Sequence, residues 1–205
     1  TKLKKMRKEV RILGISYSQS QMGSYVLVLS EKNGNIKLPI VVKMSDAQRI
    51  ALDIENVKSV RPMTHDLFKS VSDSYGIDVQ EIYIYSLLEG IFYAKLVTSN
   101  GVEEVEVESS VGDAVILASV YECPIYVANS VLKSAGVLIS DTGEAIEGDL
   151  DTELGIDSDN PEVKGKVSIE NLERLLEEAV RMEDYDLSIV LRDRINKLKE
   201  KRDTI

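Results

Sequence analysis

The chain has 205 residues, of which 43% are hydrophobic, and it carries a formal net charge of −10 at pH 7. No apolar run approaches the roughly 20 residues that a membrane helix needs, so we expect no membrane contact. The single cysteine excludes an internal disulfide. Because no secretory signal is visible either, the composition predicts a cytoplasmic protein.

The negative charge is concentrated in one segment. Residues 1–140 hold 15 basic and 16 acidic residues, residues 141–162 hold nine acidic and no basic residues, and residues 163–205 hold ten of each. A segment with many like charges and few apolar residues cannot form a core. The pattern predicts a folded domain over 1–140, a flexible acidic linker over 141–166 and a helical part over 167–205. Because neither folded part is strongly acidic, the net charge does not exclude a nucleic-acid partner.

The first domain contains two similar segments, residues 10–57 and 77–124. At an offset of 67 residues, Asp46 aligns with Asp113 and many apolar positions coincide. Each segment reads as three strands followed by a helix. The predicted strands are 10–17, 24–30, 36–42, 77–85, 91–98 and 102–108. We therefore expect an α+β fold with a mixed, mainly antiparallel sheet that arises from a strand–hairpin–helix duplication.

Turn and helix signals punctuate this domain. The Asn-Gly pairs at 33–34 and 100–101 predict type I′ turns, with positive φ at both residues. A short strand is expected at 124–127 and a short helix at 130–135. Thr64 is expected to cap a helix between the two segments. Its predicted buried face consists of Leu67, Phe68, Val71 and Tyr75.

The C-terminal part predicts two amphipathic helices. Their apolar stripes are Leu172, Leu175, Leu176, Ala179 and Met182 in the first helix, and Leu187, Val190, Leu191, Ile195 and Leu198 in the second. Either Asp184 or Asp186 is available as the N-cap of the second helix. Two such stripes exceed what two short helices bury against each other. We expect another protein surface to close the seam of a hairpin at 167–200, in a homo-oligomer with a dimer favoured.

The run 61–68, Arg-Pro-Met-Thr-His-Asp-Leu-Phe, is the most specific motif of the first domain. It occurs together with Leu38-Pro39-Ile40, Asp46-Ala47, Asp113-Ala114 and Pro124-Ile125-Tyr126-Val127. Over residues 10–137 these motifs resemble the bifunctional nuclease family, whose members are described as having DNase and RNase activity. The resemblance implies hydrolysis of phosphodiester bonds in nucleic acid.

The C-terminal helices carry a second resemblance. Residues 172–198, and most specifically 183–195, are similar to the UVR motif of the excision-repair subunits UvrB and UvrC and of some protease adaptors. In those proteins the motif mediates contacts between proteins. The resemblance implies a protein partner for the hairpin. The combination of the two modules is typical of bacterial bifunctional nuclease proteins.

A nuclease of this kind needs carboxylates that bind Mg²⁺ or Mn²⁺, which activates water and stabilises charge on phosphate. The resemblance and the available carboxylates suggest four metal ligands, namely Asp46, Asp66, Glu108 and Asp113. His65, Asp66 and Asp113 are the candidate catalytic residues, and Arg61 and Thr64 are candidates for substrate binding. The duplication gives a separate reason to group Asp46 with Asp113.

A non-catalytic function is the alternative. Asp46, Asp66 and Asp113 each fall in the first turn of a predicted helix, where the helix dipole favours acids without any catalysis. The family usually shows Asp-x-Arg-Pro-Ser-Asp-Ala at the last of these positions. This chain departs from that pattern at Glu108, Ser110, Val111 and Gly112, while Ser109 falls at its variable position. A scaffold whose UVR-like hairpin recruits a repair or protease partner therefore stays open beside the nuclease.

Overall fold

The computed structural model describes residues 6–18, 24–32, 34–138 and 167–203. Within these ranges the chain forms an eight-stranded mixed sheet and six helices, the last two of which form a C-terminal hairpin, and this confirms the α+β prediction. The strands are β1 (Arg7–Tyr17), β2 (Ser24–Glu31), β3 (Ile36–Lys43), β4 (Asp78–Leu88), β5 (Ile91–Ser99), β6 (Glu104–Ser109), β7 (Ile125–Ala128) and β8 (Val137–Leu138). The helices are α1 (Met44–Ile54), α2 (Thr64–Ser74), α3 (Val111–Tyr121), α4 (Asn129–Ala135), α5 (Ile169–Arg181) and α6 (Tyr185–Asp203). None of the helices in these ranges is long and apolar enough to cross a membrane.

The strands lie in the order β6-β5-β4-β7-β1-β2-β3-β8. The pairing of β4 with β7 is parallel, and each of the other pairs is antiparallel. Strand β7 therefore joins two antiparallel three-stranded units, β1-β2-β3 and β4-β5-β6. The acidic linker predicted at 141–166 lies outside the described residues.

The two three-stranded units share the order of elements that the sequence predicts, because α1 follows β3 and α3 follows β6. An irregularity interrupts the first hairpin of each unit, between Ile12 and Gly14 and between Val79 and Glu81. These positions are equivalent at the offset of 67 residues. The two units are therefore alike in the order of their elements and in their strand pairing. That they arose by duplication stays a prediction.

The predicted type I′ turn at 100–101 is wrong. Only Gly101 has a positive φ, of 83°, and the loop is held by the side-chain oxygen of Asn100, which accepts hydrogen bonds from the backbone N–H groups of Val102 and Glu103. The tight turn with two positive φ values lies instead between β4 and β5, at Glu89 and Gly90. Asn33 lies outside the described residues.

Helix α3 is the central helix of the first domain. It is apolar on most of its circumference, as expected for a helix covered on several sides. Its buried apolar residues run along the helix at Ala114, Val115, Ile116, Leu117 and Ala118. It packs on β4 and β5 below and on α1 and α2 at its sides. This arrangement brings the first turns of α1 and α2 close to the first turn of α3.

Helix α2 packs differently from the prediction. Its apolar side chains Leu67, Phe68, Val71 and Tyr75 are 42–78% exposed, so they do not form a buried face. Polar contacts hold the helix instead, among them an ion pair between Asp66 and Arg49. These apolar residues do share one face of the helix, as predicted, but in the single chain no described element covers that face.

The C-terminal residues form the expected hairpin. Ser168 caps α5 by accepting a hydrogen bond from the backbone N–H of Asn171 at 3.2 Å. Of the two candidate caps for α6, Asp184 takes the position, because its Oδ1 accepts from the N–H of Leu187 at 3.0 Å. The apolar seam is buried at Leu172, Leu175, Ala179, Leu187, Val190, Leu191 and Ile195.

In the single chain the first domain supplies a surface that packs on this seam, and contact of the hairpin with a second protein stays a prediction. Glu55, at the end of α1, accepts a hydrogen bond from the N–H of Val167 at 2.8 Å and from Nε of Arg194 at 2.8 Å. Asn171 bridges β1, donating to the carbonyl of Ile15 at 3.4 Å and accepting from the N–H of Tyr17 at 3.3 Å. The hairpin is therefore docked by buried polar contacts as well as by apolar packing.

Candidate functional site

Three helix N-termini converge in the first domain. Asp46 lies in the first turn of α1, His65 in the first turn of α2 and Asp113 in the first turn of α3. Free backbone N–H groups and the helix dipoles make such ends favourable for negative charge. The convergence therefore creates a small electropositive backbone region that holds two carboxylates and the histidine.

His65 and Asp113 form the closest side-chain pair of the site. Nε2 of His65 lies 3.1 Å from Oδ1 of Asp113. Ser110 donates from its hydroxyl to Oδ2 of Asp113 at 2.6 Å and accepts from the backbone N–H of Asp113 at 3.2 Å. Burial acts to raise the pKa of Asp113, but the hydrogen bonds from Ser110 and His65 and the charge of Lys43 outweigh it. The net pKa lies below its ordinary value, so Asp113 is ionised and Nε2 of His65 carries the proton of the hydrogen bond.

Asp46 is the most buried member of the group, with 6% of its surface exposed. Burial raises the pKa of its carboxyl group, and the negative charge of Asp113 acts in the same direction, against the charge of Lys43. Lys43 places its Nζ 3.6 Å from Oδ1 of Asp46. The second oxygen of Asp46 lies against the Cα of Gly112, where a Cβ would overlap it. Asp46 and Asp113 are therefore neighbours across the start of α3.

Asp66 does not join this group. Its two oxygens accept hydrogen bonds from Nη1 and Nη2 of Arg49 at 2.7 and 2.9 Å, and Oδ2 also accepts from the N–H of Met63 at 2.8 Å. The hydrogen bond from Arg49 lowers the pKa of Asp66 most strongly. Asp66 thus caps α2 and ties it to α1, and its charge is already neutralised.

Neither Thr64 nor Glu108 makes a hydrogen bond or ion pair with Asp46, His65 or Asp113 among the described residues. Helix α2 begins at Thr64 with Met63 as its N-cap, and the side chain of Asp66 accepts from the N–H of Met63, so the predicted capping by Thr64 is wrong. Glu108 lies on β6, which forms one edge of the sheet, and accepts from the hydroxyl of Tyr85 at 2.9 Å.

Arg61 lines a cleft between α1 and α2, and Asp46, His65 and Asp113 are not part of its lining. The cleft has a volume of about 680 Å³ and is lined by residues of α1, α2, the segment between them and the end of α3. The side chain of Arg61 is 82% exposed, and its Nε lies 3.6 Å from the carboxylate of Asp186 at the start of α6. The docked hairpin therefore reaches one side of the cleft.

Sequence reasoning missed three residues that shape the site. Arg49 was not singled out, although it lies on α1 one turn after Asp46. Ser110 and Gly112 were read only as departures from a family pattern. Ser110 caps α3 and bonds to Asp113, and Gly112 leaves the space that Asp46 occupies. Both residues are smaller than those of the family pattern, and this small size was the sequence feature that could have indicated close packing at the start of α3.

The predicted set of four metal ligands does not assemble in the described residues. In that part of the chain no group of three or more His, Cys, Asp or Glu side chains is placed to hold a metal ion. Asp66 is occupied by Arg49 and Glu108 by Tyr85. Asp46 and Asp113 are the two that lie together, and the oxygens of Asp113 accept hydrogen bonds from His65 and Ser110.

Comparisons with known proteins agree with this division of the chain. Residues 27–140 match the family model described as the bifunctional nuclease domain, and residues 166–201 match the UvrB/uvrC motif. Two proteins of Mycobacterium tuberculosis, one from each of two strains, are 39% identical to this chain over 136 residues. The match covers 66% of this chain and 80% of each relative, and both relatives bear the name uncharacterized protein. The chain belongs to the bifunctional nuclease domain family and ends in a UVR-type hairpin.

Proposed function

We propose that this protein hydrolyses phosphodiester bonds of DNA and RNA, with His65 and Asp113 as the proton-transfer pair. The observation that carries the proposal is the 3.1 Å contact between Nε2 of His65 and Oδ1 of Asp113, beside Asp46 and at three helix N-termini. A histidine fixed by an ionised carboxylate is a common general base.

The hydrogen bond assigns a function to each nitrogen of His65. Nε2 donates to Asp113, which leaves Nδ1 as the basic nitrogen. In the proposed step, Nδ1 removes a proton from water while the water oxygen bonds to phosphorus. The bond from phosphorus to the leaving oxygen then breaks, and that oxygen takes a proton from the imidazolium. Backbone N–H groups at the helix ends and Nζ of Lys43 would stabilise the negative charge on phosphate.

Dependence on Mg²⁺ or Mn²⁺ is part of the proposal. Asp46 and Asp113 would hold the ion, with water and phosphate oxygens as the other ligands, so binding of the ion would depend on substrate. A bound ion lowers the pKa of water and neutralises charge on phosphate. The raised pKa of Asp46 supports this assignment, because a cation would relieve its repulsion with Asp113.

The test is cleavage of labelled single-stranded and duplex oligonucleotides by the full chain, with Mg²⁺, with Mn²⁺ and with EDTA. We expect cleavage only with a divalent ion, lost in His65→Ala and Asp113→Asn. Glu170→Gln is the matched control, since Glu170 is an exposed carboxylate in the first turn of α5 that pairs with Arg174 and does not line the cleft. Activity that survives EDTA would overturn the metal part, and activity that survives both substitutions would overturn the pair.

A second candidate function is a non-catalytic adaptor that recruits a repair or protease partner through the hairpin. Two observations favour it. Asp66 accepts its hydrogen bonds from groups within the fold, as expected for a structural carboxylate, and the chain carries a UVR-type hairpin. Absence of cleavage with every ion, from protein that is folded, would favour this function. The predicted homo-oligomer is compatible with both candidates.

A further inference from the structure

The lining of the cleft beside α2 is slightly basic. It includes four basic and three acidic side chains, in a first domain that holds 15 basic and 16 acidic residues. By contrast, the edge strand β6 exposes Glu104, Glu106 and Glu108. A polyanion approaching the first domain would therefore meet less repulsion at the cleft than at that edge.

The basic residues of the cleft are not equally available. Arg49 is held by Asp53 and Asp66, and Lys69 is paired with Asp73 at 3.2 Å while it lies over the ring of Tyr121. Lys58 makes no ion pair with any residue in the described part of the chain. Arg61 is largely exposed and makes only the long contact with Asp186. Lys58 and Arg61 are thus the two cations that can accept a new anionic partner.

The contact between Arg61 and Asp186 connects the cleft to the docked hairpin. Both side chains are more than half exposed, and exposed ion pairs of this length are weak. A phosphate group could replace the carboxylate of Asp186 and would gain a bidentate contact with the guanidinium. The docked hairpin therefore competes with phosphate for Arg61.

We infer that the cleft binds the phosphate backbone of a polynucleotide through Lys58 and Arg61, and that Asp186 of the hairpin opposes this binding. The inference rests on the proposed function, for which it names where the substrate strand lies. Asp66, which lines the cleft, directly follows His65 in the sequence, so α2 carries residues of both the cleft and the proposed catalytic pair. The family resemblance pointed to Arg61 alone, whereas the cleft adds Lys58 and the opposing carboxylate.

The experiment measures fluorescence anisotropy of a labelled oligothymidylate with the full chain in excess EDTA, over a series of salt concentrations. Lys58→Gln and Arg61→Gln should each weaken binding several-fold and reduce the slope of log K against log salt by about 0.7, the value for one lost contact with a single strand. Asp186→Asn should tighten binding. Lys133→Gln, an exposed lysine on α4 that does not line the cleft, should bind as the wild type does.

Equal binding by the wild type, Lys58→Gln and Arg61→Gln would overturn the inference, as would no binding by the wild type or an equal loss in Lys133→Gln. If Asp186→Asn binds the oligonucleotide no more tightly than the wild type, the claim that Asp186 opposes binding is wrong. If the cleft variants bind normally and the wild type cleaves, the inference fails and the proposed nuclease stands. If binding follows the predicted pattern but no ion supports cleavage, the nuclease fails and the cleft stands.

Discussion

Arg194 of the hairpin donates its guanidinium hydrogen bonds to Glu55 of the first domain, and the Glu55 side chain is only 2% exposed. A carboxylate buried to this degree is stable only when its charge is paired and hydrogen-bonded. Because Arg194 comes from the hairpin, the end of α1 is stable only while the hairpin is docked. Because α1 also carries Asp46 and Arg49, the docked hairpin and the candidate site share one helix.

The first prediction is that Arg194→Met destabilises the protein by about 3–5 kcal/mol, because it leaves Glu55 buried without its partner. Urea denaturation of the full chain measures the loss, and hydrogen exchange should show α5 and α6 losing protection first. Glu173→Gln is the control, since it removes an exposed hairpin ion pair with Lys199 and should change stability by less than about 1 kcal/mol. Equal effects of the two substitutions would contradict the docking account.

The second prediction concerns Gly112→Ala. The added Cβ would overlap the carboxylate of Asp46, so we expect a loss of about 1–3 kcal/mol, typical of overpacking in a tight site. The same substitution in an Asp46→Ala background should be neutral or stabilising, because the clash is gone and alanine favours a helix. Thermal denaturation of the four proteins forms the double-mutant cycle. A loss of equal size in both backgrounds would show that Asp46 is not what Gly112 accommodates.

The third prediction is that Asp46→Asn stabilises the protein at neutral pH. Burial raises the pKa of Asp46 in the folded state, so ionisation is easier in the unfolded chain. The ionised carboxylate of Asp46 therefore lowers the free energy of unfolding once the pH exceeds its pKa in the unfolded chain, about 4. The full loss is reached above its pKa in the folded protein. The gain from Asp46→Asn should vanish at pH values below about 4. Denaturation across this range measures it, and a gain that is independent of pH would contradict the argument.

Most of the fold could be predicted because its signals are local. The alternation of apolar residues in a strand and their spacing in a helix are each visible within a short stretch of sequence. These patterns predicted the strands, helix α3 and the hairpin. The exposed face of α2 could not be predicted in this way. Helical periodicity shows that Leu67 and Val71 share a face, but it does not show whether another element covers that face.

The candidate site was only partly predictable for a related reason. The sequence alignment of the two segments grouped Asp46 with Asp113, and the structure places these residues as neighbours. The pairing of Asp66 with Arg49 removed one expected ligand, and it depends on how α1 and α2 pack rather than on any local pattern. The ion pair of Arg194 with Glu55 joins residues that are far apart in the chain. No local sequence motif marks either residue.

The fourth prediction concerns the homo-oligomer, which the docked hairpin no longer explains. The exposed apolar face of α2 offers an alternative contact, because exposed apolar patches often mark sites of association. We expect a dimer by sedimentation equilibrium and a monomer in Phe68→Asp/Val71→Asp. Ile189→Asp, at an exposed apolar position of the hairpin, is the control and should leave the mass unchanged. A monomeric wild type would contradict the prediction.

The central claim is that His65, held by Asp113, transfers the proton during phosphodiester hydrolysis. The most direct measurement is single-turnover cleavage of an oligonucleotide by His65→Gly, with and without added imidazole. We predict a rate about 10²–10⁴-fold below the wild type, the usual contribution of general base catalysis, and partial recovery with imidazole. A rate equal to that of the wild type, or a loss that imidazole does not restore in a folded protein, would contradict the claim.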